Sequence, residues 1–239
     1  MARMLDKHPA RIQSMFDAIA GRYDLLNHLL SAGFDRRWRR RAIASLGLSE
    51  EDTLLDVCTG TGDVVLAALD SAKPPSRAVG VDFAGTMLGL ARAKLARHGG
   101  ARRGWFVRGD ALRLPLPSAS VSAATVAFGI RNVADLAAAL EELARVLRPG
   151  GRLAILEFGY PTAPGVRALY AAYFGHVLPR VGRVISRHHR AYSYLNASVQ
   201  EFPAGSAFLT ALQTAGFSHL QAVRLTLGIV YLYTACRRP

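Results

Sequence analysis

The stretch "LLDVCTGTGDVVLAAL", Leu54 to Leu69, decides the fold. Leu54–Val57 reads as a short buried strand, Thr59, Gly60, Thr61 and Gly62 as a glycine-rich turn, and the apolar run that follows as a helix. A strand, a tight glycine turn and a helix N-terminus make a nucleotide-binding corner, where free backbone N–H groups can meet polar ligand atoms. The dinucleotide fingerprint G-x-G-x-x-G requires a third glycine for close packing of helix on strand. Val65 stands in that position, so the fingerprint fails.

Acidic residues surround the corner instead. Asp56 ends the first strand, Asp82 follows Gly62 by twenty residues in "VGVDF", and Asp110 closes a third strand in "FVRGDALRLPLP". An acid at the Asp82 position can accept hydrogen bonds from both hydroxyls of a ribose, and Asp110 is placed to meet an adenine edge. Three carboxylates would repel a pyrophosphate. They suit a ligand with hydroxyls, amines and a sulfonium charge, which favours S-adenosylmethionine over NAD.

Outward from the corner, apolar runs of strand length recur at Thr53–Cys58, Ala78–Val81, Trp105–Val107, Val121–Phe128 and Arg152–Phe158. Helical patterns such as Gly85–Arg97 and Asp135–Leu147 lie between them, and Arg148-Pro149-Gly150-Gly151 reads as a helix stop. This alternation predicts an α/β fold with a parallel sheet and helices on both faces. Leu220–Thr226 and Ile229–Ala235 are too close for a crossover helix and are expected to pair antiparallel. By analogy, a mostly parallel seven-stranded sheet with an antiparallel C-terminal strand is the class I S-adenosylmethionine-dependent methyltransferase fold. Residues 1–239 read as one domain with two helical additions: an N-terminal lid, 1–46, and an insertion, 160–202, covering the substrate site.

Composition narrows the class. Hydrophobic residues make up 51% of the 239, enough for a packed core. No apolar run reaches the roughly 18 to 20 residues of a spanning helix, and "MARMLDKHPARIQ" lacks the apolar stretch of a signal peptide. A cytoplasmic protein is expected. Cys58 and Cys236 lie in strand-like runs without a CxxC pair, so buried, inert thiols are expected, and neither a disulfide framework nor a metal site. The net charge of +13 fits an anionic membrane surface or nucleic acid. It also fits an Ala-, Arg- and Gly-rich composition of no functional meaning. An RNA-binding reading calls for aromatic and basic residues interleaved on a strand face. The sequence shows none, so no nucleic-acid partner is expected.

Longer stretches carry a resemblance. "MFDAIAGRYDLLNHLLSAGFDRRWRR", "FGIRNVADLAAALEELARVLRPGGRLAILEF", "YFGHVLPRVG" and "YSYLNASVQEFP" resemble the C-methyltransferases of menaquinone and ubiquinone biosynthesis over nearly the whole chain. That resemblance implies S-adenosyl-L-methionine as cofactor, held by Gly60, Thr61, Gly62, Asp82, Asp110 and Ala111. It implies C-methylation of a polyprenylated quinol. The "CTGTGD" form leans towards demethylmenaquinol, with a benzoquinol as the alternative. Ala127 stands where some members carry a serine, so that serine's cofactor contact is not expected here.

Methylation at carbon needs a ring made nucleophilic by an ionised hydroxyl, and alignment of the reactants supplies much of the rate; no metal is required. "FGIRNV" puts Arg131 and Asn132 past the fourth strand, at the carboxyl edge where such sheets bind ligands. Arg131 is expected to stabilise a phenolate, though not to act as a free base, and Asn132 to orient a ring oxygen. Tyr23 in "GRYD" is expected to close the lid, with a proton relay as its alternative role. In the insertion, Leu169, Tyr173, Phe174, Val177 and Leu178 form one apolar helix face, followed by Arg180, Arg183, Arg187 and Arg190. This composition suits a peripheral contact with anionic membrane on its inner face. A homodimer stays open.

Overall fold

The computed structural model describes residues 7–161, 164–172 and 189–239. Three helices precede the sheet: α1 (Pro9–Ile19), α2 (Tyr23–Leu30) and α3 (Phe34–Ser45). Then come β1 (Thr53–Val57), α4 (Asp63–Leu69), β2 (Arg77–Asp82), α5 (Gly85–His98), β3 (Gly104–Arg108) and β4 (Val121–Ala127). A 3-10 turn (Ile130–Asn132) leads to α6 (Leu136–Val146) and β5 (Leu147–Phe158). The chain continues through α7 (Pro164–Ala172), α8 (His189–Glu201), α9 (Ser206–Thr214), β6 (Phe217–Leu225) and β7 (Val230–Arg237).

The seven strands lie in the order β3-β2-β1-β4-β5-β7-β6. Pairing is parallel from β3 to β5, and β7 runs antiparallel between β5 and β6. β1 is covered on both faces, which is why it reads as an unbroken apolar run. Leu55 and Val57 enter one core with Leu140, Leu143 and Phe208 of α6 and α9. Leu54 enters the other, with Trp38, Ile43, Val65 and Leu88 of α3, α4 and α5. The two-residue period of the strand divides them.

The helix at 135 starts as its sequence indicates, with the Asp135 carboxylate accepting from the Ala138 N–H at 3.1 Å as its N-cap. The helix ends at Val146, just before Arg148–Gly151, as the stop predicts, but that turn itself lies inside β5, where the register to β4 jumps from Val121↔Leu147 to Ala123↔Arg152. Gly150 takes φ 73° there, so the proline-glycine turn becomes a bulge within a strand. Cys58 lies just beyond β1, and both cysteines are half-buried rather than buried. Among the described residues, no helix is long and apolar enough to cross a membrane. Tyr173 to Arg187, most of the expected lipid-facing helix and its basic cluster, lie outside the described residues.

Candidate active site

The glycine corner forms because the chain must reverse without side chains in the way. Gly60 and Gly62 take φ 55° and 81°, the left-handed region that glycine enters freely. A Cβ at Gly62 would also lie 2.6 Å from the Phe106 ring. Asp82, at the end of β2, ties the turn down: its Oδ2 accepts from the Gly60 N–H at 2.8 Å and its Oδ1 from the Ala84 N–H at 2.9 Å. Burial pushes its carboxyl up.

Two adjoining recesses open at this edge. Gly60, Asp82, Phe83, Met87 and Ala127 line the first, and Phe83, Asp110, Ala111 and Leu112 the second. Cys58 and Gly129 border both. A Cβ on Gly129 would stand 2.3 Å from that of Cys58, so only glycine leaves the floor open. The Cys58 thiol is pushed up by burial, which holds it neutral. Among the described residues, no Lys or Arg lines the Asp82 recess, which suits a ligand without phosphates.

The expected ligand residues are placed unequally. Asp82, Asp110, Ala111 and Gly60 line the recesses. Asp110 also accepts from the Leu112 N–H at 2.9 Å, shaping its own turn two residues beyond β3. The Thr61 hydroxyl is engaged elsewhere, donating to Asp24 Oδ1 at 2.6 Å and accepting from Lys94 Nζ at 2.9 Å. Any cofactor contact of Thr61 therefore falls to its main chain. The expectation of three ligand-facing acids is corrected. Asp56 is only 1% exposed, accepts from the Thr125 hydroxyl at 2.7 Å inside the sheet, and lines neither recess.

Beside the recesses lies a cavity of about 100 Å³. It shares Phe16, Tyr23, Phe128 and Asn132 with the Asp82 recess, so these four form the partition. Phe128 holds a strained φ of 59°, and its ring packs on Phe158 at 4.7 Å and Trp38 at 6.0 Å. Arg131 and Asn132, from the 3-10 turn after β4, face this cavity, as do Tyr194 and Leu195 of α8. Arg131 Nη1 donates to the buried Glu157 of β5 at 2.6 Å and to the Phe128 carbonyl at 2.5 Å. Three buried polar atoms of lining residues, Arg131 Nε, Asn132 Oδ1 and Tyr194 Oη, have no hydrogen-bond partner among the described residues. Burial pushes the Tyr194 phenol up to about 12. Sequence reasoning missed Glu157 and Tyr194; both sit inside stretches quoted for the resemblance, but nothing in their spacing marks them.

The N-terminal helices cover this edge. Phe16 and Tyr23 pack with Ala84 and Met87, and their rings meet edge to face at 6.0 Å. Lys94 of α5 fastens them, with Nζ 2.6 Å from Asp24 and 2.6 Å from Asp63. Arg39 of α3 bridges Asp35 at 2.5 Å and Asp63 at 3.3 Å.

A β1–β4 switch point opening onto an acidic, phosphate-averse recess, in a sheet reversed only at β7, is the class I S-adenosylmethionine-dependent methyltransferase fold. The fold is shared with the putative methyltransferase solved with the Haloferax volcanii Trm112 activator, at TM-score 0.65, 20% identity and coverage of 94% and 98% of the two chains. It is shared equally with the [4+2]-cyclase SpnF, at TM-score 0.68, 18% identity and 95% of each chain, so fold alone leaves the reaction open. The sequence is decisive: residues 4–237 match the ubiE/COQ5 methyltransferase family, and the chain belongs to it. It is 48% identical to the ubiquinone/menaquinone biosynthesis C-methyltransferase UbiE of Syntrophotalea carbinolica, over 93% of this chain and 92% of that one. To the demethylmenaquinone methyltransferase of Thermus thermophilus it is 46% identical, over 93% and 100%. The protein is an S-adenosylmethionine-dependent C-methyltransferase of quinone biosynthesis.

Proposed function

We propose that the methyl acceptor is a ring carbon of a polyprenylated quinol, demethylmenaquinol, giving menaquinol. The observation that carries this is the set of three buried polar atoms without a partner among the described residues, Arg131 Nε, Asn132 Oδ1 and Tyr194 Oη, all from residues that line an otherwise largely apolar and aromatic cavity. Buried polar atoms are costly unless paired, and one donor, one acceptor and one hydroxyl complement the oxygens of a dihydroxy ring. The cavity and the cofactor recess adjoin through shared lining residues, which would bring a ring held in the cavity up to the methyl group.

Gly60, Gly62, Asp82, Asp110 and Ala111 would hold the cofactor, with Asp82 accepting from the ribose, Asp110 meeting the adenine, and the Thr61 main chain facing the methionine part. When bound, S-adenosylmethionine supplies an electrophilic methyl group. The protein's part is to make the ring carbon nucleophilic and to keep it aligned. The Arg131 N–H groups stabilise charge on a ring oxygen as its proton passes to solvent water, and Glu157 fixes the guanidinium for that task. Once the methyl is in place, the ring carbon loses its own hydrogen as a proton and the oxygen is reprotonated, so one proton is released to water overall. Asn132 accepts from a ring hydroxyl and so sets the orientation of the ring. Tyr23 acts as a lid residue: its phenol is pushed up by burial, so it stays protonated and is a poor relay at neutral pH. Residues 1–46 are the lid and 160–202 the cover, both supported by their contribution to the cavity lining. The enzyme works in the cytoplasm, peripherally on the inner face of the membrane, where a prenylated substrate resides.

The test is incubation with methyl-labelled S-adenosylmethionine and chemically reduced demethylmenaquinol in detergent, with a demethylated prenyl benzoquinol in parallel. Label extracted as menaquinol supports the reading. Label in the benzoquinol alone overturns the choice of ring, and label in neither, with cofactor binding intact, overturns the prenylated quinol.

A further inference from the structure

The outer rim of the molecule beside the substrate cavity carries a feature the methyl transfer does not use. Phe34 opens α3 with 42% of its surface exposed, and Leu227, in the tight turn between β6 and β7, is 74% exposed. Leu25 and Leu29 on the preceding helix add apolar surface at 54% and 50% exposed. Trp38 joins the α3 start to the hairpin tip: its ring stacks on Phe34 at 6.2 Å, and its Nε1–H donates to the Thr226 hydroxyl at 2.9 Å.

Leu227 is held at φ 59°, ψ 22°, a left-handed conformation that costs a leucine about 1–2 kcal/mol. The strain presents a large apolar side chain to water, where it gains nothing from the fold. Next to it lies a recess of about 280 Å³ lined by Arg37, Arg41 and Arg224 together with Phe34, Trp38 and Thr226. No acidic residue lines it, and none of the three exposed arginines makes an ion pair among the described residues. Trp38 also lines the substrate cavity, so recess and cavity share a wall.

We propose that this face docks on an anionic lipid bilayer, with Phe34 and Leu227 entering the acyl boundary and a lipid phosphate seated between Arg37, Arg41 and Arg224. Guanidinium groups match phosphate oxygens in charge and geometry, and apolar side chains ringed by arginine are the composition of an interfacial surface. The exposed leucines offer no stacking face to a nucleic-acid base, and the face of Phe34 is already taken by Trp38. Among the described residues, none from 160–202 lines this recess. That it orients the cavity towards the bilayer rests on the quinol reading; the docking itself does not.

The experiment is sedimentation of the full chain with vesicles of phosphatidylcholine alone or mixed with phosphatidylglycerol, without quinol or cofactor, at low and high salt. Wild type is expected to bind the anionic vesicles and to be released by salt. Replacing the three arginines (R37Q, R41Q and R224Q together) is expected to weaken binding about 100-fold, at roughly fivefold per charge. Leu227→Asn is expected to weaken it about tenfold. Its melting temperature should hold or rise, because asparagine tolerates the left-handed region, which separates docking from folding. Wild type remaining in the supernatant overturns the proposal, as does a triple variant that binds like wild type. Binding of a single-stranded RNA that depends on the three arginines, with vesicles ignored, reassigns the surface to nucleic acid. Failure of quinol methylation with vesicle binding intact would leave the docking face standing.

Discussion

Arg131 Nη1 lies 2.6 Å from Glu157 Oε1, and the Glu157 side chain has no exposed surface at all. Glu157 Oε1 also accepts from its own neighbour's N–H, that of Phe158, at 2.8 Å, and Oε2 from the Arg131 N–H at 3.2 Å. One carboxylate thus fixes both the main chain and the side chain of the residue that faces the ring. Removing one partner of a buried pair leaves the other uncompensated, at a cost of about 3–5 kcal/mol. Glu157→Gln is therefore expected to lower stability by that order in urea titrations. In the fraction that folds, turnover should fall more than cofactor affinity. Unchanged turnover would show that the position of Arg131 is immaterial.

Lys94 joins the lid to the glycine turn through Asp24, Asp63 and Thr61. Lys94, Asp24 and Asp63 are partly exposed, so each ion pair is worth only about 0.2–1 kcal/mol. Lys94→Met is expected to weaken cofactor binding about fivefold while leaving turnover at saturation nearly unchanged, with Lys94→Arg recovering part of the loss. Isothermal titration and the split between KM and kcat read this directly. A fall in turnover alone would contradict a latch.

The two tyrosines of the cavity should separate. Tyr23→Phe keeps the ring that packs on Phe16, so cofactor affinity and turnover are expected to stay within about threefold, whereas Tyr23→Ala should lose affinity. Tyr194→Phe removes a hydroxyl that is unpaired among the described residues from a residue lining the cavity, and is expected to lower turnover about three- to tenfold, the worth of one hydrogen bond. A Tyr23→Phe loss confined to turnover would restore the proton relay.

Asp56 supplies a pH signature. Burial raises its carboxyl from 3.8 to about 7 in the folded protein. Between these values the native state binds the extra proton, so this group's contribution to stability falls as pH rises through the window and is flat above it. Asp56→Asn keeps the neutral shape. The variant is expected to lose less stability than wild type between pH 5 and pH 7, by up to about 1.4 kcal/mol per pH unit. Parallel curves in urea melts across that range would refute it.

The strands, the helices after Asp63, Gly85 and Asp135, and the glycine turn were legible because each rests on local chemistry: apolar period, capping and positive φ. The antiparallel β6–β7 pair followed from a connection too short for a crossover. Asp82 was legible through its spacing from the turn. Asp56 was not separable from it, because two strand-end acids look alike until the sheet puts β4 and Thr125 beside one of them. Arg148–Gly151 marked the end of the helix but not its own place, for a related reason: a proline-glycine turn is the same local signal whether it lies in a loop or bulges within a strand.

By itself the sequence determined the order of elements, the family and the chemistry available at the carboxyl edge, since these follow from residue type and near-neighbour spacing. Tertiary structure alone decided which groups meet. Glu157 stands 26 residues from Arg131, and Lys94 stands 31 from Asp63 and 33 from Thr61. No periodicity reaches across such separations. Their contacts exist because parallel strands and the helices on them bring distant stretches to one edge, where burial turns ordinary side chains into a fixed arginine, a latch and a cavity wall.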